Sequence, residues 1–249
     1  MPRLLLTAAT ALALVAPLTL PAKDQAIDPA KIMSDTTSKG GHYIKPGSVD
    51  YKDVLPPPPE PGSVAAQADL ETVQRAQAAR TPNDIAWARL IVNDDVYYNA
   101  LVLGSWFKAD NLPVTAAFLK DVTDDLHAAG RGGKKLYPRP RPPLVDPTLQ
   151  PVVEIATTGS YPSGHTMQAF VWAYVLAEIF PEQRAALLER AHQVAWGRVI
   201  GGAHFPSDLI GGQIVAKAIF AEFMKSESFR ADVKKCRAEA APYLLKKAA

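Results

Sequence analysis

Pro162–Phe180, PSGHTMQAFVWAYVLAEIF, decides the fold. Ser163 can cap a helix with its side-chain oxygen, and from Thr166 to Phe180 nothing interrupts a helix. The apolar part, Met167–Phe180, is too short to cross a bilayer and carries Gln168 and Glu178, so it reads as a helix of a water-soluble body. The same helical grammar continues on both sides. Ala65–Arg80 is rich in Ala, Gln, Glu and Leu, all strong helix formers. Val96–Phe107 is apolar on nearly every side and predicts a buried helix. Leu112-Pro113 opens another, which ends near Gly130, Gly132 and Gly133. Glu182–Val199, Ser207–Lys225 and Phe229–Leu245 complete the set. No stretch alternates with period two between turn residues. The fold class that follows is all-α: a single compact multi-helix domain over residues 63–249, with the active site at helix termini and connecting loops.

Upstream the composition changes. Residues 23–62 are polar and irregular and close on Leu55–Pro61 (LPPPPEP), a run that favours polyproline II. Because the run precedes one helical body and does not join two, an arm laid across the domain is expected over a disordered linker. At the start, Arg3 is followed by LLLTAATALALVAPLTLPA, with the layout of a secretory signal peptide over residues 1–22. Pro17, Pro21, the short apolar core and the missing basic flank argue against a membrane anchor. The expected location is therefore periplasmic or secreted, with no membrane attachment after processing.

The chain has 27 basic and 25 acidic residues, so no general basic surface for nucleic acid exists. Cys236 is the lone cysteine and can form no intrachain disulfide; a partly buried thiol is expected. Homo-oligomers suit such a protein, but no sequence feature specifies one.

Three segments carry the chemistry. Lys134–Pro142 (KKLYPRPRP) sets Lys134 and Arg141 around prolines that stiffen the backbone, as a preorganised anion site requires. Arg offers paired N–H donors to phosphate oxygens and Lys a compact charge; Arg139 reads as a structural or peripheral cation. In Pro162–His165 (PSGH), Ser163 caps the helix, Gly164 allows close backbone approach, and the first-turn N–H groups attract an anion. His165 then stands where it can protonate a departing oxygen. In Arg198–Asp208 (RVIGGAHFPSD), Gly201 and Gly202 allow a reversal between two helices. His204 precedes the second helix, and Asp208 lies one turn further on. Asp208 can hold one imidazole nitrogen and leave the other free to attack phosphorus. Taken singly these segments read as a basic loop, a capped surface histidine and a surface ion pair. Together, in this order, they form an anion site with a nucleophile and an acid.

The chain resembles the bacterial class A non-specific acid phosphatases, within the type 2 phosphatidic acid phosphatase and vanadium haloperoxidase superfamily. Lys134 with Arg141-Pro142 matches the family's first motif, PSGH its second, and Arg198, His204 and Asp208 its third. Gly197 departs from it by replacing a serine. Leu55–Pro61, Ala109–Leu119 and the N-terminus also look like the class A branch. The resemblance implies an all-α, metal-independent phosphomonoesterase with no cofactor. It further implies a phosphohistidine on His204, His165 as acid, and phosphate bound by Lys134, Arg141, Ser163, Gly164 and Arg198.

No His or carboxylate cluster in the sequence has metal-site spacing; Asp94-Asp95 and Asp124-Asp125 read as helix-surface pairs. His42, His127 and His192 read as surface or helix residues. Two other functions remain open: a vanadate-dependent haloperoxidase, because vanadate resembles the phosphoryl transition state, and a non-enzymatic phosphate-binding protein. The latter has no use for a histidine backed by Asp208.

Overall fold

The structure, a computed structural model, describes residues 39–93, 95–130 and 132–245. The signal-peptide expectation, the start of the arm and Asp94 fall outside the described residues. The helices are α1 (Tyr51–Val54), α2 (Val64–Ala79), α3 (Pro82–Leu90), α4 (Ala100–Leu103), α5 (Pro113–Gly130), α6 (Gly133–Leu136), α7 (Pro142–Val145), α8 (Gly164–Ile179), α9 (Arg184–Ile200), α10 (Pro206–Lys225) and α11 (Glu227–Leu245). No strand occurs among the described residues, as the absence of period-two patterning predicts.

Helix α8 is the axis of the body. Its apolar residues leave no polar face, so other helices must cover it on all sides. α5, α9, α10 and α11 all pack on it, and Phe170, Val171, Val175, Leu176 and Ile179 are buried. Leu176 is wholly enclosed. Leu176→Ala is therefore expected to cost about 2–5 kcal/mol and to lower the midpoint of denaturant unfolding. A loss under about 0.5 kcal/mol, typical of surface substitutions, would show that the axis is looser than its burial suggests.

The described part of the arm, from residue 39 on, packs on the body. Leu55 is buried, its carbonyl accepts a bond from Tyr137 Oη at 3.2 Å, and the Pro56 carbonyl accepts one from Tyr161 Oη at 2.7 Å. Tyr51 Oη donates to the Ala129 carbonyl. The expectation for Asp124-Asp125 is corrected here. Asp125 is buried and accepts the backbone N–H groups of His42, Tyr43 and Ile44 at 3.0, 2.7 and 3.0 Å. A buried carboxylate needs such donors, and these tie the arm to α5.

Besides the single turns α1, α6 and α7, which were not anticipated, two elements differ from the sequence reading. Val96–Phe107 is not one helix: a 3₁₀ turn (Val96–Asn99) leads into the single turn α4, which ends at Gly104 with φ 114°. The Asn99 side chain donates to its own local carbonyl at Val96, which competes with helix propagation. Conversely, α3 was not anticipated. Thr81 and Asp84 form a capping box at its start, with Pro82 in the first turn. Cys236 is fully buried, and burial pushes its thiol up to about 11.

Candidate active site

Three junctions meet at the N-terminal ends of α8 and α10. At the first, Ser163 caps α8: its Oγ accepts from the Thr166 N–H at 3.4 Å and from the Thr166 hydroxyl at 3.0 Å. The Ser163 N–H is committed, donating to the Asp208 carbonyl at 3.0 Å. The anion-attracting amides are thus those that follow it, from Gly164 onward, which have no partner one turn back in the helix. A Cβ added to Gly164 would meet no atom within 4 Å, so this glycine faces open space at the helix start. His165 Nε2 lies 3.1 Å from the Val92 carbonyl. A carbonyl only accepts, so Nε2 carries the hydrogen, and Nδ1 is the nitrogen whose protonation can change.

At the second junction, α9 ends on Ile200 and the chain reverses through Gly202, whose φ of 75° suits a residue without Cβ. The reversal sets His204 before Pro206, which starts α10. His204 Nδ1 stands 3.2 Å from Asp208 Oδ2, the one-turn contact expected from the sequence. Asp208 Oδ2 also accepts the Phe205 N–H at 2.8 Å, so the same carboxylate caps α10. Arg198, in the last turn of α9, is 3% exposed. Its Nε and Nη1 have no hydrogen-bond partner among the described residues.

The third junction supplies two more cations. Lys134 sits on the single turn α6, just ahead of the proline-stiffened segment, and donates to the carbonyls of Gly159 and Pro162 at 2.7 and 3.1 Å. Arg141, extended at φ −80° and ψ 157°, donates to the carbonyls of Thr158 and Ala203, both at 2.9 Å. Its Nη1 lies 3.3 Å from His204 Nε2. The fold therefore gathers Lys134, Arg141, Ser163, Gly164, His165, Arg198, His204 and Asp208 at one place.

The electrostatics follow from crowding these cations in a buried site. Burial, then Arg141, lowers Lys134 to about 7; the same two causes lower Arg198 to about 10. Burial, then Arg198, holds His165 well below its ordinary range. The free His165 imidazole is therefore neutral, since burial first and the neighbouring cations second oppose its charge. Burial also holds His204 neutral, against the pull of Asp208. For Asp208, burial is outweighed by His204, Arg139 and Ser160, which keep the carboxyl ionised. Such a site is short of negative charge.

Two supporting residues, Ser160 and Asp69, were not identified in the sequence, and Arg139 was read there as a structural or peripheral cation without its partners. Ser160 Oγ, buried, donates to Asp208 Oδ2 at 2.5 Å. Arg139 pairs with Asp208 Oδ1 at 2.7 Å and with Asp69 of α2 at 2.8 Å. The Gly197 departure also has a physical reason: a Cβ there would stand 2.3 Å from Ile91 Cδ1. A serine would require the buried Ile91 Cδ1 methyl to shift.

Outside this site, His42, Asp121 and Asp124 bring potential metal-ligand atoms within 4.8 Å of one another. Sequence spacing hides this group because the folded arm brings His42 onto α5. It shares no residue with the anion site.

Residues 114–231 match the family model described as the PAP2 superfamily. The chain is 31% identical over 203 residues to a non-specific acid phosphatase of Salmonella typhimurium, covering 77% of this chain and 80% of that protein. It is 28% identical over 217 residues to a non-specific acid phosphatase of Providencia stuartii, covering 82% and 86% of the two chains. Among solved structures, a bacterial vanadium-dependent iodoperoxidase superimposes with a TM-score of 0.54 at 16% identity, over 69% of this chain and 52% of that one, a likeness of fold.

Proposed function

The chain belongs to the PAP2 superfamily, alongside non-specific acid phosphatases, and we propose that it hydrolyses phosphate monoesters through a phosphohistidine on His204. The observation that carries this reading is a pairing. Arg198 presents buried donors with no partner among the described residues, and His204 has one nitrogen engaged by Asp208. An unpaired buried donor costs about 1–3 kcal/mol, and more when charged; a phosphoryl oxygen accepting from Arg198 removes that cost. A protein that merely bound phosphate would need the cations but not a histidine oriented for attack.

In the proposed reaction Lys134, Arg141, Arg198 and the amides after Ser163 take the equatorial oxygens. His204 Nε2 attacks phosphorus as the bond to the leaving oxygen breaks, and His165 Nδ1 protonates that oxygen. Water then attacks the phosphohistidine, His165 takes its proton, the P–N bond breaks, and inorganic phosphate leaves. The cations take the part that a metal would otherwise play in neutralising the phosphoryl group. The signal-type N-terminus supports export, and no helix among the described residues is long and apolar enough to cross a membrane.

Purified protein is expected to turn over nitrophenyl phosphate in EDTA and to be inhibited by vanadate and by inorganic phosphate. Activity lost to chelator and restored by Mg²⁺ or Zn²⁺ would overturn the metal-independent mechanism. Halide oxidation with vanadate and peroxide, in place of hydrolysis, would return the haloperoxidase reading. The pH profile carries a further check. Lys134 must be charged to hold the anion, and its depressed value of about 7 means the cation is lost as pH rises through neutrality. On the acid side His204 stays neutral and able to attack. For nitrophenyl phosphate, whose leaving group needs little help from His165, the ratio kcat/KM, which reports the free enzyme, is thus expected to be high at acid pH and to decline above about pH 7; a maximum above pH 9 would contradict it.

A further inference from the structure

We propose that Arg139 and Asp69 are positioning residues for this reaction, clamping Asp208 so that it holds the Nδ1 proton of His204 without removing it. The inference rests on the phosphohistidine reading. It begins with the backbone of Pro138–Arg141, which lies outside any helix. Residues two apart in a regular strand share a face, but here the proline-bound chain sends Arg139 and Arg141 to different halves of one catalytic pair. Arg141 Nη1 goes to His204, and Arg139 Nη1 to Asp208 Oδ1 at 2.7 Å.

The clamp joins three parts of the chain. Arg139 Nη1 also donates to Ser207 Oγ at 2.7 Å, and Nη2 donates to Asp69 Oδ2 at 2.8 Å. Asp69, on α2, accepts the Ser207 N–H at 3.1 Å and the Ser207 hydroxyl proton. The guanidinium lies 4.2 Å from the centre of the Phe205 ring. Asp69 and Arg139 are nearly buried, with side chains 8% and 10% exposed. This is much more than a peripheral cation needs. A planar fork that serves two carboxylates and a hydroxyl while resting on an aromatic face leaves Asp208 little freedom to turn.

The chemistry gives that restraint a purpose. Asp208 Oδ2 takes donors from Ser160, Phe205 and His204, while Oδ1 takes Arg139. A carboxylate so fully supplied with donors is a weak base and leaves the proton on Nδ1. Release of phosphate from His204 requires that proton, because a ring that retains it departs as neutral imidazole and one that has lost it departs as imidazolate, a far poorer leaving group. Other groups facing His204 are Arg141, Lys134, His165 and Ser160, and Asp208 Oδ1 takes its donor from Arg139.

The test is a double-mutant cycle in the full chain, with Arg139→Met, Asp208→Asn and the combination. The readouts are kcat for nitrophenyl phosphate and inhibition by inorganic phosphate. Arg139→Met is expected to lower kcat roughly 10- to 100-fold, the range seen when a partner that orients an active-site histidine in metal sites is lost. Phosphate inhibition should stay nearly unchanged. The acid limb of kcat/KM should move to higher pH, because an unshared Asp208 charge favours protonated His204. In the Asp208→Asn background the same change should add little, since both act through one carboxylate. Losses that multiply across the cycle would overturn the proposal, as would phosphate inhibition weakened in step with kcat. If thermal melts show that Arg139→Met does not fold, Arg139→Lys takes its place under the same criterion. It keeps the charge but cannot serve both carboxylates as a fork. A wild-type enzyme with no trappable phosphoenzyme would instead undo the reading beneath the inference.

Discussion

Replacing His204 by alanine is expected to lower turnover of every phosphate monoester by about 10⁴-fold or more, the scale on which loss of a catalytic nucleophile is felt. It should also abolish phosphoenzyme. With wild-type enzyme, a labelled substrate quenched in alkaline denaturant should leave phosphate on the protein, since a P–N bond survives alkali and breaks in acid. His204→Ala should leave none. Affinity for inorganic phosphate should fall far less, because Lys134, Arg141 and Arg198 remain. The fold should survive as well: Asp208 keeps Ser160, the Phe205 N–H and Arg139. Label still trapped on His204→Ala would place the nucleophile elsewhere, and loss of phosphate affinity matching the loss of turnover would make His204 a binding group.

The fold and the charged groups of the site were legible for different reasons. Helix α8 announced itself because a capping serine and an uninterrupted run leave few alternatives. The long helices around it follow from propensity, and their ends fall within a few residues of the sequence reading. Val96–Phe107 was misread because apolar content cannot reveal that Asn99 bonds its own Val96 carbonyl or that Gly104 needs positive φ. The side chains that the structure gathers at the candidate site were legible because their motifs are local, each within one turn or loop.

The support was not. Asp69 reaches Ser207 across 138 positions, and nothing near it in α2 marks it. Ser160 stands two residues before PSGH and looks like any loop serine. One signal for Arg139 was present: it sits two residues from Arg141 in a rigid segment that cannot bend to bury either charge by accident. A carboxylate offsets the cost of burying a guanidinium, and Arg139 has two of them, Asp208 and Asp69. His42 shows the same limit, since its approach to Asp121 and Asp124 depends on Asp125 gripping the arm.

His165→Ala is expected to divide substrates by the stability of what leaves. Nitrophenolate departs readily as an anion and needs little protonation, whereas the alkoxide of a glycerol phosphate or a nucleotide is a strong base and needs a proton as the bond breaks. General acid catalysis is worth about 10² to 10⁴ in rate, and that benefit falls on the second class. The geometry says which nitrogen acts: Nε2 gives its hydrogen to the Val92 carbonyl at 3.1 Å, so the proton is passed through Nδ1. It also says when. Burial and Arg198 keep the free imidazole neutral, so Nδ1 gains its proton once the negative phosphoryl group stands against Arg198 and offsets that cation. The acid is thereby armed by substrate, and a binding group that only neutralised phosphate would show no such preference. Phosphoenzyme formation by His165→Ala should slow far more for alkyl than for nitrophenyl phosphates, with a steep dependence on leaving-group pKa where the wild type is shallow. An equal loss for both classes would make His165 a ligand of the phosphate or a brace for the start of α8, and the proton donor would have to be another group.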